Sequence, residues 1–200
     1  MSEAGTAAYD GLADLPPLVS AAVAAARRVG FAKSCLPEQG RLLRLLAAGV
    51  GGGTIGETGT GCGVGLAWLA SGAHPDARLV SVERDPGRVA AATELFESDQ
   101  RVRVRAGDWS ELADAAPFDL LALDGGGQGK GAEPPLDPAA WLRPGGVVVL
   151  DDFTPMTAWP PMHGGEPDAA RIYWLDHPRL RATEVRITPT AATIIATFTG

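Results

Sequence analysis

Residues 54–70 read TIGETGTGCGVGLAWLA and place five glycines (Gly56, Gly59, Gly61, Gly63 and Gly65) within ten positions. They lie between a short apolar run and a helix-like one, and a single acid, Glu57, interrupts them. Such a stretch constrains the chain to a strand, a tight turn and a helix start. Gly59 suits the turn, and Gly61 and Gly63 let a ligand approach the backbone where the helix N-terminus favours a carboxylate or phosphate. The dinucleotide fingerprint G-x-G-x-x-G is not met, since the third glycine position falls on Val64 or Leu66. The motif is E-x-G-x-G-x-G.

The rest of the chain alternates strands and helices. PPLVSAAVAAARRVG and PEQGRLLRLLAAG predict two entry helices, with prolines in the first turns and Leu42, Leu45 and Leu46 sharing a face of the second. GTIGE is a buried strand, followed by the glycine loop and a helix through Ala70. ARLVSVE, RVRVRAGD, FDLLALDGG and GGVVVLDDF follow as strands. Between them DPGRVAAATELFES predicts a helix, WSELADAA a short one and PLDPAAWL a helical turn or two. After the helical EPDAARIYWLDHP, LRATEVRIT and TAATIIATFTG close the chain as a hairpin near Pro189. This order predicts a seven-stranded, mostly parallel sheet with helices on both faces and an antiparallel C-terminal hairpin. Residues 1–200 are expected to form one domain, a helical segment over about 10–50 and an α/β core over about 51–200. Stretches 125–135 and 153–166, rich in Gly and Pro, are the least regular.

Ligands of such sheets sit at the carboxyl ends of the strands, near the topological switch point. The residues there are Glu57, Glu83, Asp108, Asp124 and the pair Asp151–Asp152, all acidic. Five acidic strand ends in succession point to a polar crevice for hydroxyl recognition, cation binding or both. Glu83, closing the second strand, is placed to accept the two ribose hydroxyls of an adenosine. The net charge of −7 argues against a nucleic-acid surface. Two cysteines, Cys35 and Cys62, make neither a disulfide framework nor a zinc cluster. With a polar N-terminus and no apolar run long enough to span a bilayer, the chain is expected to be a soluble cytoplasmic protein.

ETGTGCG, VSVERD, AGDWSEL, FDLLALDGG and LRPGGVVVLDDF resemble the successive motifs of class I S-adenosylmethionine-dependent methyltransferases. LPEQGRLLRLLAA and DAARIYWLDHPRLRAT are similar to the entry helix and the late helix and strand of the catechol and caffeoyl-CoA type O-methyltransferases. The resemblance spans roughly residues 30–200 and implies a Rossmann-like fold with S-adenosylmethionine as cofactor. It also implies a small hydroxylated acceptor and a homodimer; from the residues themselves no membrane partner is expected. Glu57 and the loop Gly59, Thr60, Gly61 and Gly63 would hold the methionine moiety, under a cover contributed by Lys33, Ser34 and Cys35. For Cys35 a plain packing role is an alternative. Gly65 stands where the family often has a carboxylate-binding serine, so backbone must serve. Glu83, with Arg84 beside it, would take the ribose, and Asp108 and Trp109 would flank the adenine. Asp124 would lie against the cofactor as well.

The same resemblance implies a magnesium-type site at Asp124, Asp151 and Asp152, with Asp152 in place of the usual Asn. A metal there would bind a substrate hydroxyl and lower its pKa. Gly127 stands where the family often carries a catalytic lysine; Lys130, in the same loop, is the candidate in its place. His163 is the base to consider without a metal, in a segment whose Met156, Trp159 and Met162 could wall the acceptor pocket. Three readings stay open: a metal-dependent O-methyltransferase, a metal-independent O- or N-methyltransferase, and a non-catalytic cofactor-binding protein. Catechols, other phenols and a hydroxylated nucleoside in RNA are the acceptor classes, the acidic charge disfavouring the last.

Overall fold

The computed structural model describes residues 5–200. Seven strands form one sheet: β1 Thr54–Thr58, β2 Arg78–Glu83, β3 Val102–Ala106, β4 Phe118–Leu123, β5 Leu142–Phe153, β8 Leu180–Arg186 and β9 Ala192–Phe198. A separate two-stranded ribbon pairs β6 Met162–His163 with β7 Glu166–Pro167. The sheet order is β3-β2-β1-β4-β5-β9-β8, with β1 to β5 mutually parallel and β9 antiparallel to both of its neighbours. The winding direction reverses between β1 and β4, which makes that crevice the switch point. The expected Rossmann-like sheet and terminal hairpin are therefore present. The ribbon lies in a stretch read as irregular, β5 begins at Leu142 instead of 145, and residues 109–115 form a 3-10 helix.

Six α-helices flank the sheet: α1 Pro17–Arg28, α2 Pro37–Ala48, α3 Val64–Gly72, α4 Pro86–Phe96, α5 Pro138–Trp141 and α6 Ala169–Asp176. Strand alternation divides the core between the two faces. Ile55, Leu79, Leu120 and Val149 pack with side chains of α1 to α4, whereas Leu121, Val148 and Leu150 pack with Trp141 and Trp174 of α5 and α6. Where α2 crosses α3 the packing is close: a Cβ on Gly40 would lie 2.1 Å from the indole nitrogen of Trp68.

The chain before α1 straps the covering segment 31–35. Thr6 Oγ1 donates to the Phe31 carbonyl (2.7 Å), and Thr6 N–H donates to the Ala32 carbonyl (2.9 Å). The buried Tyr9 hydroxyl donates to the Cys35 carbonyl (3.0 Å) and accepts from Trp68 Nε1 (2.9 Å). Tyr9→Phe leaves a buried carbonyl and a buried indole N–H without that partner. It should cost about 1–3 kcal/mol of unfolding free energy, read by chemical denaturation.

Candidate functional site

Strand parity gathers the acids. Glu57 pairs in register with Ser81 on β2 and Ala122 on β4, and Ala122 with Val149 on β5. Residues 57, 81, 83, 124 and 151 thus fall on the face covered by α1 to α4, at the carboxyl ends of adjacent strands.

Glu57 is buried, and Ser81 Oγ donates to its Oε2 at 2.6 Å. The Ser81 hydroxyl proton being used there, the Thr60 hydroxyl donates to Ser81 Oγ at 2.6 Å. Burial raises the Glu57 pKa to about 8, opposed by the Ser81 bond and assisted by Asp124 and Glu83. The other oxygen lies against the start of α3: a Cβ on Gly65 would sit 2.4 Å from Oε1. A side chain at position 65 would therefore require that carboxylate oxygen to shift. Ser81 was missed from sequence; its signal was a hydroxyl inside the apolar strand LVSVE.

The glycine loop is held from both sides. Gly59 N–H and Thr60 N–H donate to the Val82 carbonyl at 2.9 and 3.1 Å, and Gly61 N–H donates to Glu83 Oε2 at 2.9 Å. Glu83 Oε1 accepts from Asp85 N–H (2.9 Å) and faces Arg88 at 3.4 Å. Gly63, with φ 87°, caps α3. Phe31 covers the loop, its ring 3.0 Å from where a Gly61 Cβ would stand, and Arg88 stacks over that ring. Together with Lys33, Ser34 and Cys35, this cover leaves a cavity of only about 10 Å³ over the loop. A cofactor entering there must displace the cover. The loop fits a methionine moiety in kind, with a buried acid for an ammonium group and a backbone that side chains would obstruct.

At the positions expected from sequence to flank the adenine, Asp108 caps the 3-10 helix by accepting from Ser110 N–H (3.1 Å), while Glu111 accepts from Asp108 N–H (2.9 Å). Arg84 faces Asp108 at 3.8 Å. Trp109 is half-buried against Trp141 and the loop after β4, where a Gly126 Cβ would meet its ring at 2.3 Å.

Asp124 and Asp151 are half-buried at the ends of β4 and β5, and loss of solvent pushes both pKa values up; Asp151 raises that of Asp124 further. Asp152 does not join them. Its backbone is left-handed (φ 67°) and it is exposed, at a shift in the β5–β9 register. Among the described residues, no three His, Cys, Asp or Glu side chains gather within reach of one metal ion. Lys130 is already present there: its ammonium donates to the carbonyls of Asp151 and Asp152 and stacks on Phe153 with 3.8 Å to the ring centre. Burial of that end lowers its pKa to about 8, against the pull of Asp151 and Asp124. The donors therefore do not fit the three-carboxylate magnesium site expected from sequence.

Two clefts meet at Asp152, Phe153 and Thr154. One, of about 580 Å³, also involves Leu36, Asp151, Thr188 and Thr190. The other, of about 300 Å³, brings Lys130 and His163 together with Arg171, a buried cation paired with Asp168 (3.2 Å) and Glu184 (3.1 Å). Met156, Trp159 and Met162 are exposed beyond them.

A family model described as a methyltransferase domain matches residues 57–153. A protein of Mycobacterium tuberculosis named "Probable O-methyltransferase" is 33% identical over 170 residues, covering 76% of this chain and 70% of the relative. Among solved structures, the O-methyltransferase of Bacillus cereus in complex with S-adenosylhomocysteine superposes with a TM-score of 0.72 at 21% identity, over 97% of this chain and 96% of that one. The O-methyltransferase TomG of Streptomyces achromogenes, in complex with S-adenosylmethionine, gives 0.71 at 22% identity over 100% of both. At these identities the structural likeness speaks for the fold. No helix of the described residues is long and apolar enough to cross a membrane.

Because the Glu57 pKa lies above the ordinary 4.5, folding favours its neutral form. Its contribution to stability is full below about 4.5 and is lost as pH rises to about 8. Unfolding free energy across that window should fall less steeply in Glu57→Gln than in the parent. Gly61→Val places a branched side chain at φ 53° against Phe31. It should abolish S-adenosylhomocysteine binding in calorimetry while costing about 1–3 kcal/mol of stability.

Proposed function

Since the chain belongs to the class I S-adenosylmethionine-dependent O-methyltransferases, we propose that it methylates a hydroxyl of a small acceptor held in the cleft beside Asp151. One observation carries this reading: the glycine loop, the buried Glu57 and Glu83 on neighbouring strands, and the Asp124–Asp151 pair lie side by side on one sheet face at the switch point. The adjoining cleft of about 580 Å³ suits a small molecule.

The cofactor, when bound, supplies a methyl group already activated on a sulfonium, which leaves the protein to align and to exclude water. Glu57 receives the cofactor's ammonium group, for which its carboxylate must be ionised. The glycine loop offers backbone where side chains would intrude. Glu83 keeps two backbone donors and retains lone pairs for the ribose hydroxyls. The cover from Phe31 to Cys35 closes over the loop and keeps water out. At the acceptor end, Asp151 stands at the cleft wall with Asp124 next to it, and the two carboxylates take the hydroxyl proton as the oxygen bonds to the methyl carbon and the sulfur–methyl bond breaks. No step is routed through a metal. His163 lines the neighbouring cleft with Lys130 and is the next candidate base.

Calorimetry should show binding of S-adenosylhomocysteine and none of NAD. Glu83→Ala should weaken that binding by about 2–3 kcal/mol, the scale of hydrogen bonds to a charged group. Transfer of label from methyl-labelled cofactor to a panel of phenols tests catalysis itself. Tight NAD binding with no response to S-adenosylhomocysteine would sink the reading.

A further inference from the structure

The carboxylate oxygens of Glu57 stand in different settings. Oε2 accepts from the Ser81 hydroxyl at 2.6 Å. Oε1 lies at the start of α3, where a Gly65 Cβ would stand 2.4 Å from it. Among the described residues the Glu57 carboxylate has no other hydrogen bond. Glu57 lines the small cavity over the glycine loop together with Gly59, Gly61 and Gly65. One oxygen is therefore held by the protein, and the other is left toward the loop and the helix start.

Ser81 is itself held. Its hydroxyl proton goes to Glu57, so toward Thr60 it acts as acceptor, and the Thr60 hydroxyl lies 2.6 Å away. Glu57, Ser81 and Thr60 are all buried. Thr60 belongs to the glycine loop, and its N–H donates to the carbonyl of Val82, the residue after Ser81 on β2, at 3.1 Å. Neighbouring residues of β2 thus set both the loop and the carboxylate. The in-register pairing of Glu57 with Ser81 keeps the two side chains on one face. Alanine at 81 would strip a partner from Oε2 and from the Thr60 hydroxyl together, and the carboxylate would be free to turn. Glu83 and Asp124 disfavour charge on Glu57, so a donor on Oε2 also favours the anion that a cationic ligand needs.

We propose that Ser81 is a positioning residue for the cofactor: its hydroxyl, backed by that of Thr60, fixes Glu57 so that Oε1 is the oxygen presented to the cofactor's ammonium group. The proposal rests on the methyltransferase reading for the identity of the ligand. Ser81 acts through Glu57 and not by touching the cofactor. Its loss should therefore cost recognition of the ammonium group and little else.

A pair of ligands that differ only at that group separates this role from a general structural one. They are S-adenosylhomocysteine and its deaminated analogue, which keeps the nucleoside, the thioether and the carboxylate. Both are titrated calorimetrically into the whole protein, with competition for the weaker ligand. The parent should prefer S-adenosylhomocysteine by about tenfold or more. Ser81→Ala should weaken S-adenosylhomocysteine by about tenfold and the analogue by less than about twofold, so that the preference collapses. Equal weakening of both ligands, or an unchanged preference, overturns the proposal. Circular dichroism identifies which variants fold. If Ser81→Ala does not, Thr60→Val, which keeps the shape and removes the hydroxyl, should lose about threefold of the same preference. A folded Thr60→Val with the parent's preference then overturns the proposal. A crystal structure of the parent with S-adenosylhomocysteine decides whatever the variants do. The amino nitrogen on Oε1 with Ser81 Oγ still on Oε2 upholds the proposal; the amino nitrogen on Oε2, or Ser81 turned away, overturns it. Failure of the parent to bind S-adenosylhomocysteine counts against the methyltransferase reading and takes the proposal with it. Binding whose preference survives in Ser81→Ala counts against the proposal alone.

Discussion

Two loops cross at Gly59 and Gly125, and the site depends on that crossing. A Cβ on Gly59 would lie 2.6 Å from the Gly125 backbone, and one on Gly125 would lie 2.4 Å from the Gly59 Cα. Backbones can pass this closely only without side chains. The approach is fixed by Gly125 N–H and Asp124 N–H, both donating to the Thr58 carbonyl, at 2.7 and 3.1 Å. From this point the chain after β1 turns into the glycine loop and the chain after β4 turns toward Lys130. The crevice opens where neighbouring strands hand their chains in different directions.

Parity then converts the crossing into chemistry. Adjacent parallel strands in register present every second residue to the same face. An acid at each strand end therefore arrives beside the next, although 94 positions separate Glu57 from Asp151 in the chain. Such crowding of carboxylates in a partly dry crevice costs free energy. The fold answers the first two acids separately: Ser81 and neutralisation at Glu57, backbone donors and Arg88 at Glu83.

Much of this was legible in the chain. The seven strands, the glycine turn and the acidic strand ends follow from alternation and from punctuation by Gly and Pro, which are local signals. Ser81 was hidden because a serine within an apolar strand acquires meaning only beside Glu57 on the neighbouring strand. The Asp151–Asp152 pair read as two ligands because sequence does not reveal the left-handed residue that separates their directions. Lys130 was visible as a residue, but its anchoring through Gln128 and Trp174 was not, since Trp174 lies 46 positions beyond Gln128. What was lost in each case is a contact between distant segments.

The cover over the glycine loop illustrates how such contacts bear on function. Phe31 and the segment to Cys35 are pinned by Thr6 and Tyr9, and Tyr9 is itself held by Trp68 of α3, the helix that the glycine loop begins. The strap, the cover and the loop thus form one closed chain of contacts. A cofactor over the loop would have to displace Phe31 and the segment behind it, where the bonds from Thr6 and Tyr9 end. On the proposed reading, affinity for the cofactor is the gain at Glu57 and Glu83 less the cost of lifting the cover.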